Sequence, residues 1–292
     1  MLLPASPEFA ARGSIRSLLS LRRRERRPHG ATSMTDQAAA IWSETGGSGR
    51  TVVLLHGVGA TAAVWNGVRD ALRQRPVGWM SVDLSGHGGS RWLSSYSVGQ
   101  LAAALAPVLR GHRDVLIVGH SLGAYVGLAL ASGWFGVRVS GVLCLGPKIA
   151  WSDADLDSSR ELAARPVRWY ALEEEALTRY RRVSGLSAEI APQAQTLARG
   201  VLRGEQGWRL AQDPGTFAAA GAPFATLIAS AAAPVVLARG EHDTLVSAQE
   251  LQRHAAPAHS IGGAGHNVHV ERPAEVVSLL DGLIAHSHSS EH

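Results

Sequence analysis

With 292 residues, 46% of them hydrophobic, the chain can fill one large α/β core or two small ones, which excludes a disordered polypeptide. The net charge of +4 is local: residues 1–33 hold seven arginines against Glu8 and Glu25, so +5 sits in this arm and −1 on everything after it. A body so nearly neutral excludes the broad basic face that nucleic acid needs, and a single cysteine, Cys144 in an apolar run, excludes a disulfide framework.

The arm at 1–33 lacks the continuous apolar run of a secretory signal, so the expected location is the cytoplasm. Its Arg/Ser-rich stretch Ile15–Arg24 also fits an amphipathic organelle presequence or surface-binding arm. Met34 offers a second start, which would make 1–33 a translated upstream extension. On either reading the arm is a basic, disordered extension outside the fold.

From Thr51 apolar runs alternate with helical patterns. Strands are expected at Thr51–His56, Trp79–Leu84, Val115–His120, Val139–Leu145, Pro234–Arg239 and Ala258–Ile261. Helices are expected at Thr61–Gln74, Val98–Arg110, Leu122–Trp134 and from Pro273 towards Ala285, the second opened by a Ser97/Gln100 capping box. Strands that are apolar on both faces are covered by helices on both sides, which predicts a doubly wound, mostly parallel α/β sheet. Residues 148–213 break the rhythm with charge, aromatic residues and no convincing strand, and read as a helical insertion between two core segments, 34–147 and 214–286, with a tail at 287–292. Pro214–Ala238 carries no charge, but Pro223 and Pro234 interrupt it, so a buried helix and a central strand are expected there rather than a membrane span.

The chemistry concentrates at Gly119-His120-Ser121-Leu122-Gly123, placed between a strand and a helix. A serine at so sharp a turn takes a strained backbone conformation, tolerable only where the residues two before and two after have no side chain. Its hydroxyl then stands at the carboxyl end of the sheet, beside a helix amino terminus that favours developing negative charge. Serine needs a base, and the base an acid. Asp243 follows a late strand and His266 follows the loop Gly262–Gly265, giving the order Ser121, Asp243, His266. His269 is a second candidate base, and Glu241, Asp153 and Asp155 are alternative acids. No set of side chains has metal-ligand spacing, so neither metal nor cofactor is expected.

These features resemble the α/β-hydrolase fold superfamily, specifically its esterase-like members with a helical cap, over about residues 50–286. The marks are His56-Gly57-Val58-Gly59, Asp83-Leu84-Ser85-Gly86-His87-Gly88-Gly89-Ser90, Gly119–Gly123, Asp243, and Gly265-His266 running into Glu271-Arg272-Pro273. By position the resemblance makes Ser121 nucleophile, His266 base, Asp243 acid, and the backbone N–H groups of Val58 and Leu122 the oxyanion hole; 148–213 falls where the cap is expected. The implied function is cleavage of a carboxylic ester or related acyl bond of a small, apolar substrate through an acyl-enzyme. The same machinery serves C–C bond hydrolases, lyases and acyltransferases. His56, Trp151, Trp169, Tyr170 and Trp208 are candidate pocket residues, the cap aromatics alternatively packing cap on sheet. Arg168, Arg179, Arg181 and Arg182 could meet an acidic substrate or form a solvated face.

Two further readings stay open. Gly57-Val58-Gly59-Ala60-Thr61-Ala62 with Asp83 spells a dinucleotide site, an oxidoreductase in which Asp83 would bind ribose. A non-catalytic ligand receptor on the hydrolase fold is the other. Oligomeric state is not fixed by the sequence.

Overall fold

The computed structural model describes residues 41–186, 190, 194–254 and 256–288, so the arm at 1–33 and the last residues, 289–292, lie outside the described residues. Strands β1 (Ser43–Gly47), β2 (Arg50–Leu55), β3 (Val77–Val82), β4 (Val115–His120) and β5 (Val139–Leu145) are followed by a separate antiparallel hairpin, β6 (Val201–Gly204) and β7 (Gly207–Leu210), then by β8 (Val235–Gly240) and β9 (Ala258–Ile261). The main sheet runs in the order β1-β3-β2-β4-β5-β8-β9, and β1 is its antiparallel edge. The expected parallel core strands therefore form, each shifted by no more than two residues.

β4 explains why the sheet must be covered twice. Val115 and Ile117 point to one apolar cluster and Leu116 and Val118 to the other, and all four are fully buried. One face is covered by α2 (Val98–Leu109) and α3 (Leu122–Ala131), the other by α1 (Asn66–Leu72), which a 3-10 turn at Ala62–Trp65 precedes. Every residue of α3 is buried, which an all-apolar helix behind the central strands requires. Gly127 on its sheet side leaves room for Ile117, whose methyl would lie 2.9 Å from an added Cβ. Ser97 Oγ caps α2 by accepting from Gln100 N–H at 3.2 Å, but the Gln100 side chain turns to Ser95 Oγ instead of closing the expected box.

The chain between β5 and β8 holds α4 (Asp153–Ala163), α5 (Glu173–Ser184), α6 (Ala194–Ala198), the β6–β7 hairpin, a 3-10 turn at Pro214–Ala219 and α7 (Phe224–Ser230). Two expectations need correction here. The insertion is not purely helical, because the Gly204–Gly207 turn lets two four-residue strands pair. Nor does the core resume at 214: the turn Pro214–Ala219 packs on α4, and the chain rejoins the sheet only at β8. In α7 Phe224 is buried while Ala225, Thr226 and Ala229 are exposed, so this helix lies half-buried against α3 rather than inside the core.

After β8 come α8 (Ala248–Gln252), β9, α9 (Val268–Glu271) and α10 (Pro273–His288). α10 continues past the expected end at Ala285 and takes in the start of the expected tail. Val276, Leu280 and Leu283 bury its inner side beside α1. The edge strand β1, Ser-Glu-Thr-Gly-Gly, has no apolar period to announce it. It forms because Gly46 sits opposite Trp79, whose ring would lie 2.5 Å from a Cβ there. No helix among the described residues is long and apolar enough to cross a membrane.

Candidate active site

Ser121 joins β4 to α3 with φ +48° and ψ −114°, a conformation that costs an L-residue of order 1–3 kcal/mol and must be held by its surroundings. The two glycines around it are obligatory. A Cβ on Gly119 would lie 2.4 Å from Gly123 O, and one on Gly123 only 2.1 Å from Leu55 O, so the elbow presses directly on β2. Ser121 N–H donates to Leu145 O at 2.9 Å, tying the elbow to β5 as well.

Asp243 leaves β8 and His266 leaves the loop after β9. His266 Nδ1–H donates to Asp243 Oδ2 at 2.9 Å, and Asp243 Oδ1 accepts from Leu245 N–H at 2.9 Å. The acid loop is shaped by Arg239, whose buried guanidinium donates to the carbonyls of Asp243, Glu241 and Val246 at 2.8, 2.9 and 2.8 Å. The base loop is held by Glu271, accepting from Gly265 N–H at 2.8 Å, and by Glu241, accepting from Gly263 N–H at 2.9 Å. Glu241 thus supports the loop and makes no hydrogen bond to His266. Gly146, at the end of β5, faces the pair so closely that a Cβ would stand 3.0 Å from Asp243 Oδ2 and 3.1 Å from His266 Nδ1.

Ser121 and His266 line one cavity of about 410 Å³ together with Val58 and Leu122. The Ser121 hydroxyl has no hydrogen bond among the described residues, and neither do the backbone N–H groups of Val58 and Leu122.

Two buried histidines hold the loop that carries Val58. His56 Nε2 accepts from Leu84 N–H at 3.0 Å, which puts its proton on Nδ1, and Nδ1–H donates to Gly57 O at 2.8 Å. His87 Nε2 accepts from Gly59 N–H at 3.1 Å. Both neighbours of Val58 are thereby pinned by neutral imidazoles. A third, His120, donates from Nε2 to His266 O at 3.0 Å, linking the residue before the serine to the backbone of His266. His269 is fully buried between Trp65 and His120, with ring centroids 4.4 and 4.3 Å away and neither nitrogen hydrogen-bonded, and it does not reach the cavity. It is a core histidine.

Burial pushes all four of these histidines below the ordinary imidazole range, His269 to about 3, with neighbouring imidazoles adding to the effect at His87, His120 and His269. Below the ordinary value near 6.5 the unfolded chain binds protons that the folded chain refuses, so stability falls as pH falls. Each fully depressed histidine contributes a slope approaching about 1.4 kcal/mol per pH unit. Urea unfolding should therefore show a marked loss of stability between pH 7.5 and 5. His269→Phe should flatten that profile, and raise stability at pH 7.5 by removing two unpaired ring nitrogens at roughly 1–3 kcal/mol. A profile flat from pH 7.5 to 5 would contradict the neutral buried assignments.

The remaining sequence candidates separate cleanly. Trp151 lines the cavity, its Nε1–H donating to Lys148 O at 2.9 Å. His56, Trp169, Tyr170 and Trp208 do not line it. His56 is wholly buried in the layer beneath, and Tyr170 pairs its backbone with Trp208 at 2.7 and 2.8 Å. Trp169 lies against Gly204, where a Cβ would meet its ring at 2.7 Å. Trp169 and Trp208 are thus taken up at the β6–β7 hairpin, while the buried Tyr170 lines a neighbouring cavity. Asp155 lines the cavity but faces Lys148 Nζ at 2.8 Å, which with the Ser152 donors holds its carboxyl at about 2; it makes no bond to His266. Asp153, exposed in the first turn of α4, also stays apart. Arg182, one of the four arginines singled out in the sequence, lines the cavity, as do Lys148, Tyr125 and Phe217, which the sequence did not single out; Lys148 follows the end of β5, which was the available signal.

Asp83 overturns the dinucleotide reading. It is fully buried, and its oxygens accept from Ala62 N–H at 2.7 Å, Gly89 N–H at 2.9 Å and Arg199 at 2.9 Å, so it is spent inside the fold and presents no surface to a ribose. Cys144 is fully buried and burial pushes its thiol up, so it is core.

Residues 52–279 match the profile described as "Alpha/beta hydrolase family". Among curated proteins, the chain is 29% identical over 259 residues to a pimeloyl-[acyl-carrier protein] methyl ester esterase of Nitrosomonas europaea, covering 84% of this chain and 100% of that protein. It is 29% identical over 272 residues to esterase Rv0045c of Mycobacterium tuberculosis, covering 85% and 87%. Among solved structures, E-2-(acetamidomethylene)succinate hydrolase superposes with a TM-score of 0.71 at 22% identity, covering 83% of this chain and 94% of that one. A structure of the M. tuberculosis esterase gives 0.69 at 22% identity, covering 84% and 89%. At such identity these superpositions speak for the fold.

Proposed function

The chain belongs to the alpha/beta hydrolase family and is a hydrolase, and we propose that it cleaves a carboxylic ester of a small substrate through Ser121, His266 and Asp243. The observation that carries this reading is the 2.9 Å His266–Asp243 pair opening on the same cavity as a strained serine and two free amides. The ester bond is further supported by the two curated relatives, both of which are esterases by name.

The acyl carbonyl sits with its oxygen towards the Val58 and Leu122 N–H groups. Ser121 Oγ attacks the carbon while His266 Nε2 takes its proton, and the tetrahedral oxyanion is held by the two amides, each worth on the order of 3 kcal/mol in the transition state. Collapse expels the alcohol, which receives the proton back from His266. Water then repeats the sequence on the acyl-enzyme, releasing the acid and restoring the serine. Asp243 fixes the His266 tautomer with its proton on Nδ1 and stabilises the imidazolium. The wall of the insertion, with Trp151, Leu162, Val183 and Phe217, supplies an apolar surface over the acyl part.

A fluorophosphonate probe with a panel of p-nitrophenyl esters tests this. Wild type should be labelled and should release nitrophenol, and Ser121→Ala should do neither. A folded wild type that resists the label would make the protein a ligand receptor instead.

A further inference from the structure

A second cavity, of about 490 Å³, adjoins the first: Leu162, Val183 and Phe217 line both. These three apolar side chains therefore form a wall common to both spaces. The second is different in charge. Arg165, Arg168 and Arg179 line it, and no carboxylate does.

None of these three guanidinium groups has an ion pair or hydrogen bond among the described residues, whereas Arg160, one turn earlier on α4, pairs with Asp157, and elsewhere Arg75 pairs with Asp281 and Arg199 with Asp83. Arg168 is nonetheless positioned, lying 4.9 Å over the Tyr170 ring. Three like charges brought round one hollow repel one another, and they raise the local potential for an anion, most effectively where the walls are of low dielectric. The guanidinium fork matches carboxylate and phosphate oxygens in pairs.

We propose that this second cavity is a subsite for an anionic group, a carboxylate or a phosphate, at the far end of the ester substrate, with the scissile carbonyl at Ser121 and the intervening chain lying along Leu162, Val183 and Phe217. This rests on the serine-esterase reading. It makes the preferred substrate amphipathic, apolar beside the reacting bond and charged at its remote end.

The test uses p-nitrophenyl monoesters of dicarboxylic acids of increasing length, each paired with the same compound capped as its neutral methyl ester, and a third arm ending in a phosphate monoester. Over a limited span of lengths, wild type should show kcat/KM at least tenfold higher for the anionic member than for its neutral partner, chiefly through KM, and added salt should shrink the ratio. Arg168→Gln with Arg179→Gln should bring the ratio to about one. A ratio near one at every length in wild type, or a ratio that survives in the double variant, would overturn the subsite. The larger ratio between the carboxylate and phosphate arms tells which anion it takes. If no ester is turned over, the serine reading has failed, and calorimetric titration of the Ser121→Ala protein with the free dicarboxylates and an alkyl phosphate judges the subsite separately. Binding that disappears in the Arg168→Gln, Arg179→Gln background supports it, and no binding overturns it.

Discussion

Ser121→Ala and His266→Ala should each lower kcat for an activated ester by on the order of 10⁶, with KM nearly unchanged, and the double variant should be no worse than either single one. The effects do not add because the two side chains perform one step. Without the imidazole the hydroxyl keeps its proton, and without the hydroxyl the imidazole has nothing to activate. What remains in either variant is the contribution of bound substrate and the two amides of Val58 and Leu122, roughly 10³–10⁴ over water. Single-turnover release of nitrophenol under saturating ester separates this from a binding defect. His266→Ala retaining more than a few per cent of wild-type kcat would assign the base elsewhere; His269, with no access to the cavity, could not supply it without the site rearranging.

The elbow was readable in the sequence because its requirement is local. Gly119 and Gly123 flank Ser121 for a backbone reason: Gly119 avoids the main chain of the turn itself at Gly123, and Gly123 avoids the carbonyl of Leu55 on the neighbouring strand β2. The nearness of Asp243 to His266 was readable because each follows a strand whose apolar run fixes which end of the sheet it reaches, and β8 and β9 end side by side, just before the loops that carry these two residues. The supporting residues were not. Gly146 faces the His266–Asp243 pair only because three distant segments converge, and Arg239 serves the acid loop through carbonyls that carry no sequence signal. The aromatics show the opposite failure. Trp169, Tyr170 and Trp208 announce that something must cover them but not what: the β6–β7 hairpin, too short to show a period of two, takes up Trp169 and Trp208, and Tyr170 lines the second cavity rather than the one at Ser121. Asp83 looked like a ribose ligand because spacing records neither burial nor the Arg199 partner that consumes its charge.

Asp243→Asn should leave the protein folded and lower kcat by roughly 10⁴. The substitution is isosteric, and Arg239 holds residue 243 through its backbone carbonyl at 2.8 Å, so the loop keeps its place. The amide, however, has a single acceptor oxygen for two positions that both need one. Leu245 N–H lies 2.9 Å from Oδ1, and His266 Nδ1 lies 2.9 Å from Oδ2. If the oxygen stays with Leu245, the NH₂ group faces His266 and can be accommodated only when Nδ1 is the acceptor, which moves the imidazole proton to Nε2. A ring protonated there cannot take the proton of Ser121. If the amide turns over, His266 keeps its tautomer but Leu245 N–H faces an NH₂ group, and the imidazolium formed during attack still loses the carboxylate that stabilised it. Either arrangement costs the transition state rather than the ground state, so the loss should appear in kcat and leave KM close to wild type. Asp153→Asn, at an exposed carboxylate on α4, should change kcat less than twofold. Should Asp243→Asn keep a tenth of wild-type kcat while Asp153→Asn loses most of it, the acid would have to be sought on the insertion.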